Sequence, residues 1–289
     1  MLLVAGGQLD QNIGRLLKRI LERGVPYFDI LLGPELIPRI VIDLDDEVLV
    51  VNGRALNPSS CFIRHDVFLQ QAIKSAEAQA AALNWYYAVR GWALSQDKIR
   101  GFNRRSYMSE NSKIQNLLCA RKLGLKIPRT IVASRPFENI ATLPDSCVWI
   151  QKPVAGGSYT TLLSDCHPRN KLDEFPRFIQ HRLLRPEMRV YNIAGKLSAF
   201  RLESPDVDYR ISHDVKISAV EVPDEIKLPL TALCNELGID FSASDFMLDD
   251  TGDFNFLEIN TQPMFAAFDR IVEGRLCDDI INHLADQQN

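Results

Sequence analysis

The stretch FSASDFMLDDTGDFNFLEINTQP, Phe241–Pro263, contains two apolar runs separated by the polar sequence Asp249–Asp253. Apolar runs on either side of an Asp- and Gly-rich segment predict a β-hairpin. In the second strand Glu258 and Asn260 are two residues apart, so both side chains leave the same face. Alternation along the first strand puts Asp245 on the face that can meet Glu258 if the two residues lie opposite each other.

Two carboxylates and an amide oxygen on one face form a hard-oxygen site of the kind that Mg²⁺ prefers beside substrate phosphates. We therefore predict that Asp245, Glu258 and Asn260 bind Mg²⁺, or Mn²⁺ in its place. The alternative is that the carboxylates are solvated strand charges and Asn260 is a turn residue. That alternative leaves a polar triplet at the end of an otherwise apolar strand unexplained.

A second signal is VWIQKPVAGGSYTTLL, in which Lys152 follows an apolar strand and precedes Gly156-Gly157. Paired glycines allow a tight turn whose backbone N–H groups can approach phosphates closely. The GxxxxGK[ST] spacing of a Walker A loop is missing from the whole sequence. On turn chemistry alone, a hairpin with an exposed lysine explains the segment equally well.

A third signal is the pair Arg189 and Arg201, on two predicted strands joined by a turn at Ala194–Lys196. Two guanidinium groups that converge would form a pair of forks suited to phosphate or carboxylate oxygens. Taken by themselves, these residues are better explained as two surface arginines.

Composition limits the classes of function. The 289 residues, 46% hydrophobic and 24% charged, are ordinary for a folded protein of about two domains. The net charge of −4 argues against a general nucleic-acid binder. No apolar run approaches the roughly 20 residues of a membrane span, and the N-terminus lacks the layout of a signal peptide. The six cysteines show no CxxC pair or zinc spacing, which favours free thiols in a reducing cytoplasm.

Periodicity predicts an α/β arrangement in the first hundred residues. The predicted elements are strands at Leu2–Ala5, Tyr27–Leu32, Ile40–Asp43, Val48–Val51 and Cys61–Ile63, and helices over Gln8–Arg23 and Phe68–Ser95. Asn52-Gly53 is a turn signal, and the aromatic residues near Trp85 are expected to pack in the core. Gly6-Gly7 lacks the third glycine of GxGxxG, so we interpret it as a plain strand-to-helix turn.

The remainder is predicted to begin with a polar linker, Asn103–Ser112, followed by a helix, Asn111–Leu123, that ends at Gly124. A strand at Thr130–Ala133, a β-rich region over 147–183 and a C-terminal helix near Leu276–Leu284 follow. In FIRHDVF we expect Asp66 to cap the next helix. Arg64 is a weaker candidate for binding a substrate carboxylate.

In this order, these segments resemble the ATP-grasp superfamily. The resemblance is closest to the branch that holds RimK-type glutamate ligases and graspetide (microviridin-type) peptide-cyclising ligases. It covers nearly the whole chain and is strongest from Asn111 to Pro263. It implies an α/β (α+β) ATP-grasp fold with an N-terminal Rossmann-like pre-ATP-grasp domain over residues 1–104. Residues 105–183 would form the small lid subdomain, and residues 184–289 the C-terminal catalytic subdomain.

The resemblance also implies roles for individual residues around ATP. Lys113, in NSKIQNLLCARKLGLKIPRT, and Lys152 match two lysines that hold ATP phosphates, and Gly156 and Gly157 match the flexible lid loop. The segment FIQHRL matches the hinge whose backbone would meet adenine, from Gln180 through His181 to Leu183. His181 departs from the acidic residue usual at its position.

Further matches concern the reaction itself. Arg189 and Arg201 match arginines near the γ-phosphate and the acyl-phosphate, and LEIN together with Asp245 matches the Mg²⁺ ligands. The acidic residue that precedes the first arginine is displaced, since Glu187 lies two positions before it. VDYR, with Asp208 and Arg210, resembles a D-x-R motif that contacts the peptide substrate in graspetide ligases.

The resemblance implies an ATP- and Mg²⁺-dependent ligase that activates a carboxylate as an acyl-phosphate and passes it to an amine or hydroxyl. The expected partners are ATP and an amino acid or peptide, with neither nucleic acid nor membrane, in a chain that relatives suggest is a dimer or tetramer. Three alternatives stay open: an ATP-grasp kinase, a non-catalytic nucleotide-binding module, and a peptide macrocyclase that depends on a leader peptide.

Overall fold

The computed structural model describes residues 1–106, 112–135, 148–155, 160–163, 175–204 and 215–285. The chain divides into two compact units. Unit 1 comprises residues 1–105, 239–241 and 262–289, and unit 2 comprises residues 106–238 and 242–261. The residues from 262 onward therefore cluster with the N-terminal unit. The three-part division made from the sequence stays a prediction.

The secondary-structure elements follow one another along the chain in three stretches. Residues 1–106 contain β1 (Leu2–Gly7), α1 (Gln11–Glu22), β2 (Tyr27–Leu32), β3 (Ile40–Asp43), β4 (Val48–Val51), β5 (Arg54–Leu56), β6 (Ser60–Ile63), α2 (Leu69–Ile73), α3 (Ala76–Ser95) and β7 (Arg100–Gly101). Residues 112–204 contain α4 (Lys113–Lys122), β8 (Thr130–Ala133), β9 (Trp149–Pro153), β10 (Thr161–Leu162), β11 (Arg177–His181), β12 (Leu184–Ile193) and β13 (Lys196–Glu203). Residues 215–285 contain β14 (Lys216–Val220), α5 (Asp224–Leu237), β15 (Phe241–Leu248), β16 (Phe254–Asn260), α6 (Ala266–Ile271) and α7 (Arg275–Ala285).

Unit 1 contains a four-stranded sheet in the order β2-β1-β6-β7, in which β1 pairs in parallel with both β2 and β6. Every residue of β1 is buried, as expected for a parallel strand covered on both faces. Strands β3, β4 and β5 form a separate antiparallel sheet. Asn52 and Gly53 join β4 to β5 with φ of 49° and 81°, which confirms the predicted turn.

Gly6 and Gly7 lie at the end of β1, where close packing excludes larger side chains. A Cβ on Gly7 would lie 2.2 Å from Oδ1 of Asp66, and one on Gly6 would lie 2.7 Å from Cγ1 of Ile13. Asp66 accepts hydrogen bonds from the backbone N–H groups of Phe68 and Leu69 at the start of α2, so its predicted capping role is confirmed. The glycine pair therefore serves the strand-to-helix turn that the sequence predicts.

The helical region predicted over Phe68–Ser95 consists of two helices, α2 and α3. Helix α2 ends before Lys74, which has a φ of 57°, and Ser75 then begins a new helix by accepting a hydrogen bond from the N–H of Glu77. A residue with positive φ cannot continue a right-handed helix, so α2 and α3 are separate. The predicted core role of the α3 aromatics is confirmed, because Trp85, Tyr86 and Trp92 are buried.

The described part of unit 2 contains two sheets and two helices. One sheet has the order β10-β9-β11-β8 and the other has the order β14-β13-β12-β15-β16. Helix α4 ends one residue before Leu123, and Gly124 follows with a φ of 95°, as predicted for a helix-terminating glycine. Helix α4 contacts strand β16.

Across the described ranges, no helix has both the length and the apolar character needed to cross a lipid bilayer. Four cysteines of this part of the chain are free thiols: Cys61, Cys119, Cys234 and Cys277.

Candidate functional site

Strands β15 and β16 form the predicted hairpin, and their register brings two carboxylates together. Asp245 pairs directly with Glu258, and Ala243 pairs with Asn260 one step further along the same face. The prediction that Asp245 lies opposite Glu258 is therefore confirmed. A bulge follows immediately between Asp245 and Phe246, and a bulge is a feature that redirects side chains beside functional sites.

Asp245 is held by Arg189 from the neighbouring strand β12. The Nε of Arg189 donates to Oδ1 of Asp245 at 2.7 Å, and its Nη2 donates to Oδ2 at 2.9 Å. Both side chains are buried. Burial raises the pKa of Asp245, and the charge of Arg189 acts in the opposite direction. The pairing fixes the orientation of the carboxylate, because a two-pronged contact leaves little rotational freedom.

Glu258 is paired with Lys113, the first residue of α4. The Nζ of Lys113 lies 2.9 Å from Oε2 of Glu258, and both side chains are partly exposed. Burial by itself would raise the pKa of Glu258, but the charges of Lys113 and Lys152 together lower it. Sequence patterns did not reveal this contact, since the partners are 145 residues apart.

Lys152 lies on β9 opposite Phe178, with its Nζ 5.7 Å from the centre of the phenylalanine ring. Burial lowers the pKa of Lys152, while the nearby carboxylate of Glu258 raises it. The exposed hairpin lysine that turn chemistry alone allowed is therefore not what the structure contains. The side chain is half-buried and within electrostatic reach of the carboxylates.

Glu187 is a member of this cluster to which the sequence analysis gave no role. It is 6% exposed, with its Oε1 3.7 Å from Nη2 of Arg189 and its Oε2 3.8 Å from Nη1 of Arg185. Burial, followed by the charge of Asp245, raises the pKa of Glu187 to about 7. The available signal was its spacing of two from Arg189 on a strand, which puts both side chains on one face.

These side chains form one cluster of opposite charges. The pKa values of four members, Glu187, Asp245, Glu258 and Lys152, are each shifted in part by the charges of other members. Within the described ranges, no three His, Cys, Asp or Glu side chains form a metal-binding group. The predicted metal site does not require one, since its third ligand is an amide. Its carboxylates already attract cations and offer hard oxygen donors, so the residues suit Mg²⁺.

The predicted adenine hinge lies at the end of β11. The N–H of His181 donates to the carbonyl of Arg129 at 2.9 Å, and that of Arg182 donates to the carbonyl of Val148 at 2.8 Å. These two donors are therefore committed within the protein. Leu183, the last predicted hinge residue, is buried.

Gln180 is almost fully buried, at 1% exposure. Its Nε2 donates to Oγ1 of Thr130 at 2.8 Å, and its Oε1 has no hydrogen-bond partner among the residues that the structure describes. Because Gln180 is two positions from Phe178, which pairs with Lys152, its side chain shares the sheet face of Lys152.

Arg201 does not converge with Arg189. The register of β12 and β13 pairs Arg201 with Met188, whereas Arg189 pairs with Phe200. Since neighbouring residues of a strand point to opposite faces, the two guanidinium groups leave the sheet on opposite sides. The Nε of Arg201 instead contacts Oε1 of Glu203 at 3.0 Å, with both side chains about half exposed. The two arginines therefore do not converge, and the position of Arg201 agrees with the surface arginine that the residues alone favoured.

Arg64, the predicted substrate residue of unit 1, is buried and already paired. Its Nε contacts Oδ2 of Asp10 at 2.6 Å, and its Nη1 donates to the carbonyl of Pro263 at 2.9 Å. Asp10 in turn caps α1 by accepting from the N–H of Asn12. This arrangement indicates a structural role. Four further predicted site residues, Gly156, Gly157, Asp208 and Arg210, lie outside the described residues.

Comparison with known proteins establishes the fold. No protein-family model matches the sequence, and no curated protein matches it. Among solved structures, the ATP-grasp ligase PsnB with a phosphomimetic precursor variant, Mg and ADP aligns with a TM-score of 0.79 at 21% identity, covering 98% of both chains. The macrocyclase MdnC from Microcystis aeruginosa, bound to precursor peptide MdnA, aligns with 0.76 at 17% identity, covering 99% of both chains.

A third structure is a RiPP-associated ATP-grasp ligase from Chryseobacterium gregarium, in complex with ADP and a leader and core peptide. It aligns with a TM-score of 0.77 at 20% identity, covering 100% of this chain and 97% of that one. The chain therefore shares the fold of ATP-grasp ligases, which confirms the predicted mixed helix-and-sheet ATP-grasp fold.

Proposed function

We propose that this chain is an ATP- and Mg²⁺-dependent ligase that activates a carboxylate as an acyl-phosphate and joins it to an amine or hydroxyl group. ADP and phosphate are the other products. The observation that carries the proposal is the facing pair Asp245 and Glu258, each held by a cationic side chain of unit 2. A carboxylate is a poor electrophile until it is phosphorylated, so its activation requires this kind of charge-stabilising site.

Asp245, Glu258 and Asn260 would hold the divalent ion. When bound, Mg²⁺ would supply neutralisation of the charge that develops on the transferred phosphoryl group. Lys113 and Lys152 would bind phosphate oxygens, and Arg189 would orient Asp245 through its fork while remaining close to the developing charge. Arg201 matches the acyl-phosphate arginine by resemblance alone, and its position across the sheet from Arg189 argues for a lesser role.

The remaining nucleotide contacts are proposed through the resemblance. Gly156 and Gly157 would cover the phosphates, and the segment Gln180–Leu183 would meet adenine. The buried Oε1 of Gln180 supports this, because it has no partner within the described ranges and an amide oxygen can accept a hydrogen bond from an exocyclic amino group. The solved structures of PsnB and of the Chryseobacterium ligase with ADP support the same nucleotide.

For the acceptor and donor we propose a peptide. The solved structures of PsnB, MdnC and the Chryseobacterium ligase each contain a precursor, leader or core peptide. The D-x-R residues Asp208 and Arg210 would contact it, as in graspetide ligases. A RimK-like reaction on a small amino acid is the other outcome that a substrate screen would reveal.

The finer organisation is also a proposal. Residues 1–104 would form a Rossmann-like pre-ATP-grasp domain, which the parallel pairing of β1 with β2 across helix α1 supports. Residues 105–183 and 184–289 would be the lid and catalytic subdomains. The free cysteines support a cytoplasmic enzyme, and a homo-oligomer is proposed by resemblance alone.

The test is ADP release from ATP and Mg²⁺ in the presence of candidate peptides, with mass analysis of the product. Loss of one water from the peptide indicates ligation, whereas gain of a phosphoryl group indicates a kinase. We expect Glu258→Gln to lower ADP release by at least about a hundredfold, as loss of a transition-state charge contact does.

The matched control is Asp253→Asn on the same hairpin. Asp253 is also a carboxylate paired with a lysine, Lys126, but both side chains are about half exposed. We expect this variant to keep the activity of the unmodified protein. Undiminished ADP release by Glu258→Gln would end the metal assignment.

A further inference from the structure

Both carboxylates of the candidate metal site carry cationic partners, but the two pairs differ. Arg189 binds both oxygens of Asp245 in a buried fork. Lys113 makes a single contact to Oε2 of Glu258, and its side chain is 23% exposed. Lys113 has a flexible side chain and makes one hydrogen bond where Arg189 makes two, so Lys113 is the partner that can move away from its carboxylate.

Binding of a divalent ion to Glu258 is electrostatically unfavourable while Lys113 remains paired with that carboxylate. An ammonium 2.9 Å from one carboxylate oxygen already compensates that charge, and it repels a second cation. Lys152 adds positive charge to the same neighbourhood, since it too affects the ionisation of Glu258. With Lys113 in this position, the site is therefore poorly prepared for a metal.

A polyphosphate changes this balance. Its oxygens offer Lys113 an alternative anionic partner that is more highly charged than one carboxylate. When Lys113 turns to the phosphate, Glu258 loses its counter-ion and becomes an uncompensated, partly buried carboxylate. Such a group binds a divalent ion more strongly than a paired one.

We propose that Lys113 occupies the cation position of Glu258 until a nucleotide arrives, so that nucleotide and divalent ion bind cooperatively and neither alone completes the site. The inference rests on the proposed function, because it takes Glu258 as a metal ligand and Lys113 as a phosphate ligand. By linkage the coupling is reciprocal: the metal raises nucleotide affinity by the same factor by which the nucleotide raises metal affinity.

The test is Mn²⁺ binding to the nucleotide-free protein, measured by electron paramagnetic resonance of the free ion. We expect weak binding by the unmodified protein and binding at least about tenfold tighter by Lys113→Met, as loss of a charged hydrogen bond implies. Lys113→Arg keeps the cation and should bind Mn²⁺ as weakly as the unmodified protein. Adding Glu258→Gln to Lys113→Met should abolish the gain.

The matched control is Lys126→Met, which removes the lysine partner of Asp253 and should leave Mn²⁺ affinity at this site unchanged. Mn²⁺ affinity in Lys113→Met no higher than in the unmodified protein would overturn the proposal. So would a gain of equal size in Lys113→Arg or Lys126→Met.

The unmodified protein gives an independent measurement if Lys113→Met does not fold. Its Mn²⁺ affinity should rise at least about tenfold when ADP is bound, after correction for the Mn–ADP complex in solution. Equal affinity with and without ADP would refute the coupling. If the unmodified protein binds ADP but Lys113→Met has an unchanged Mn²⁺ affinity, this inference alone is refuted. If the unmodified protein does not bind ADP, the proposed function and this inference are both refuted.

Discussion

Arg189 holds Asp245 with two parallel hydrogen bonds, one to each carboxylate oxygen, at 2.7 and 2.9 Å. The contact joins adjacent strands of one sheet and is buried on both sides. Arg189 therefore orients a candidate metal ligand as well as lying near the candidate phosphate site. A fork of this geometry is specific to arginine, because lysine presents a single point charge.

We expect Arg189→Lys to lower ADP release by about a hundredfold, a loss typical of removing one preorganised charge contact. The positive charge is kept, but Asp245 loses one of its two hydrogen-bond donors and with it the two-point geometry of the guanidinium. The free energy of unfolding should fall by about 1–3 kcal/mol, since a buried charged hydrogen bond is lost. Steady-state ADP release and urea denaturation measure the two effects.

The control for this prediction is Arg185→Lys, because Nη1 of Arg185 lies 3.8 Å from Oε2 of Glu187 and that contact is longer than the fork to Asp245. Its effect on ADP release should be much smaller. Equal losses in the two variants would show that the fork to Asp245 has no special importance.

Arg201 provides a contrasting prediction, because it lies on the opposite face of the sheet and pairs with Glu203 in a half-exposed contact. We expect Arg201→Ala to change the free energy of unfolding by less than about 1 kcal/mol, as for other exposed ion pairs. ADP release should fall by less than about tenfold, equivalent to roughly 1.4 kcal/mol of barrier. A loss as large as that of Arg189→Lys would restore the acyl-phosphate role that the resemblance implies.

The sequence was sufficient for features that depend on local pattern. Alternation in the hairpin predicted that Asp245 faces Glu258. The two-residue turn at Ala194-Gly195 fixes the register of the strands that it joins. The same alternation, counted across that turn, puts Arg201 and Arg189 on opposite faces of their sheet.

Contacts between segments that are far apart in the chain could not be predicted from the sequence. Arg189 and Asp245 are 56 residues apart, and Lys113 and Glu258 are 145 residues apart. No local periodicity encodes such pairs, which depend on how strands and helices pack. Arg64 illustrates the same limit, since its burial against Asp10 and Pro263 follows from chain segments that meet only in the folded unit.

Glu187 predicts a pH dependence of stability. Its pKa is raised from an ordinary value of 4.5 to about 7 in the fold, chiefly by burial. Below pH 4.5 the side chain is protonated in both states. Between these values the unfolded chain ionises first, so stability falls as pH rises, and above about pH 7 the loss is complete. We expect Glu187→Gln to be more stable than the unmodified protein by up to about 3 kcal/mol above about pH 7.

The measurement is urea denaturation of both proteins at a series of pH values from about 4.5 to about 8.5, a range that spans the two pKa values. The difference in free energy of unfolding should grow with pH and level off above neutrality. The comparison variant is Glu203→Gln, in which the carboxylate removed is half exposed, and its effect should stay below about 1 kcal/mol. A Glu187→Gln difference that is flat or shrinks with rising pH would contradict the assignment of a buried, proton-retaining carboxyl.

Substitution of Arg64 tests whether this residue stabilises the fold or binds a substrate. Its side chain is 4% exposed and that of its partner Asp10 is 1% exposed, so Arg64→Met leaves a buried carboxylate without its counter-ion. We expect the free energy of unfolding to fall by about 3–5 kcal/mol, the range for breaking a buried ion pair on one side. The double variant Arg64→Met, Asp10→Asn should recover part of that loss, because it removes the unpaired charge. If Arg64 instead bound a substrate carboxylate, Arg64→Met would raise KM for the peptide with little change in the urea midpoint, and the second substitution would restore nothing.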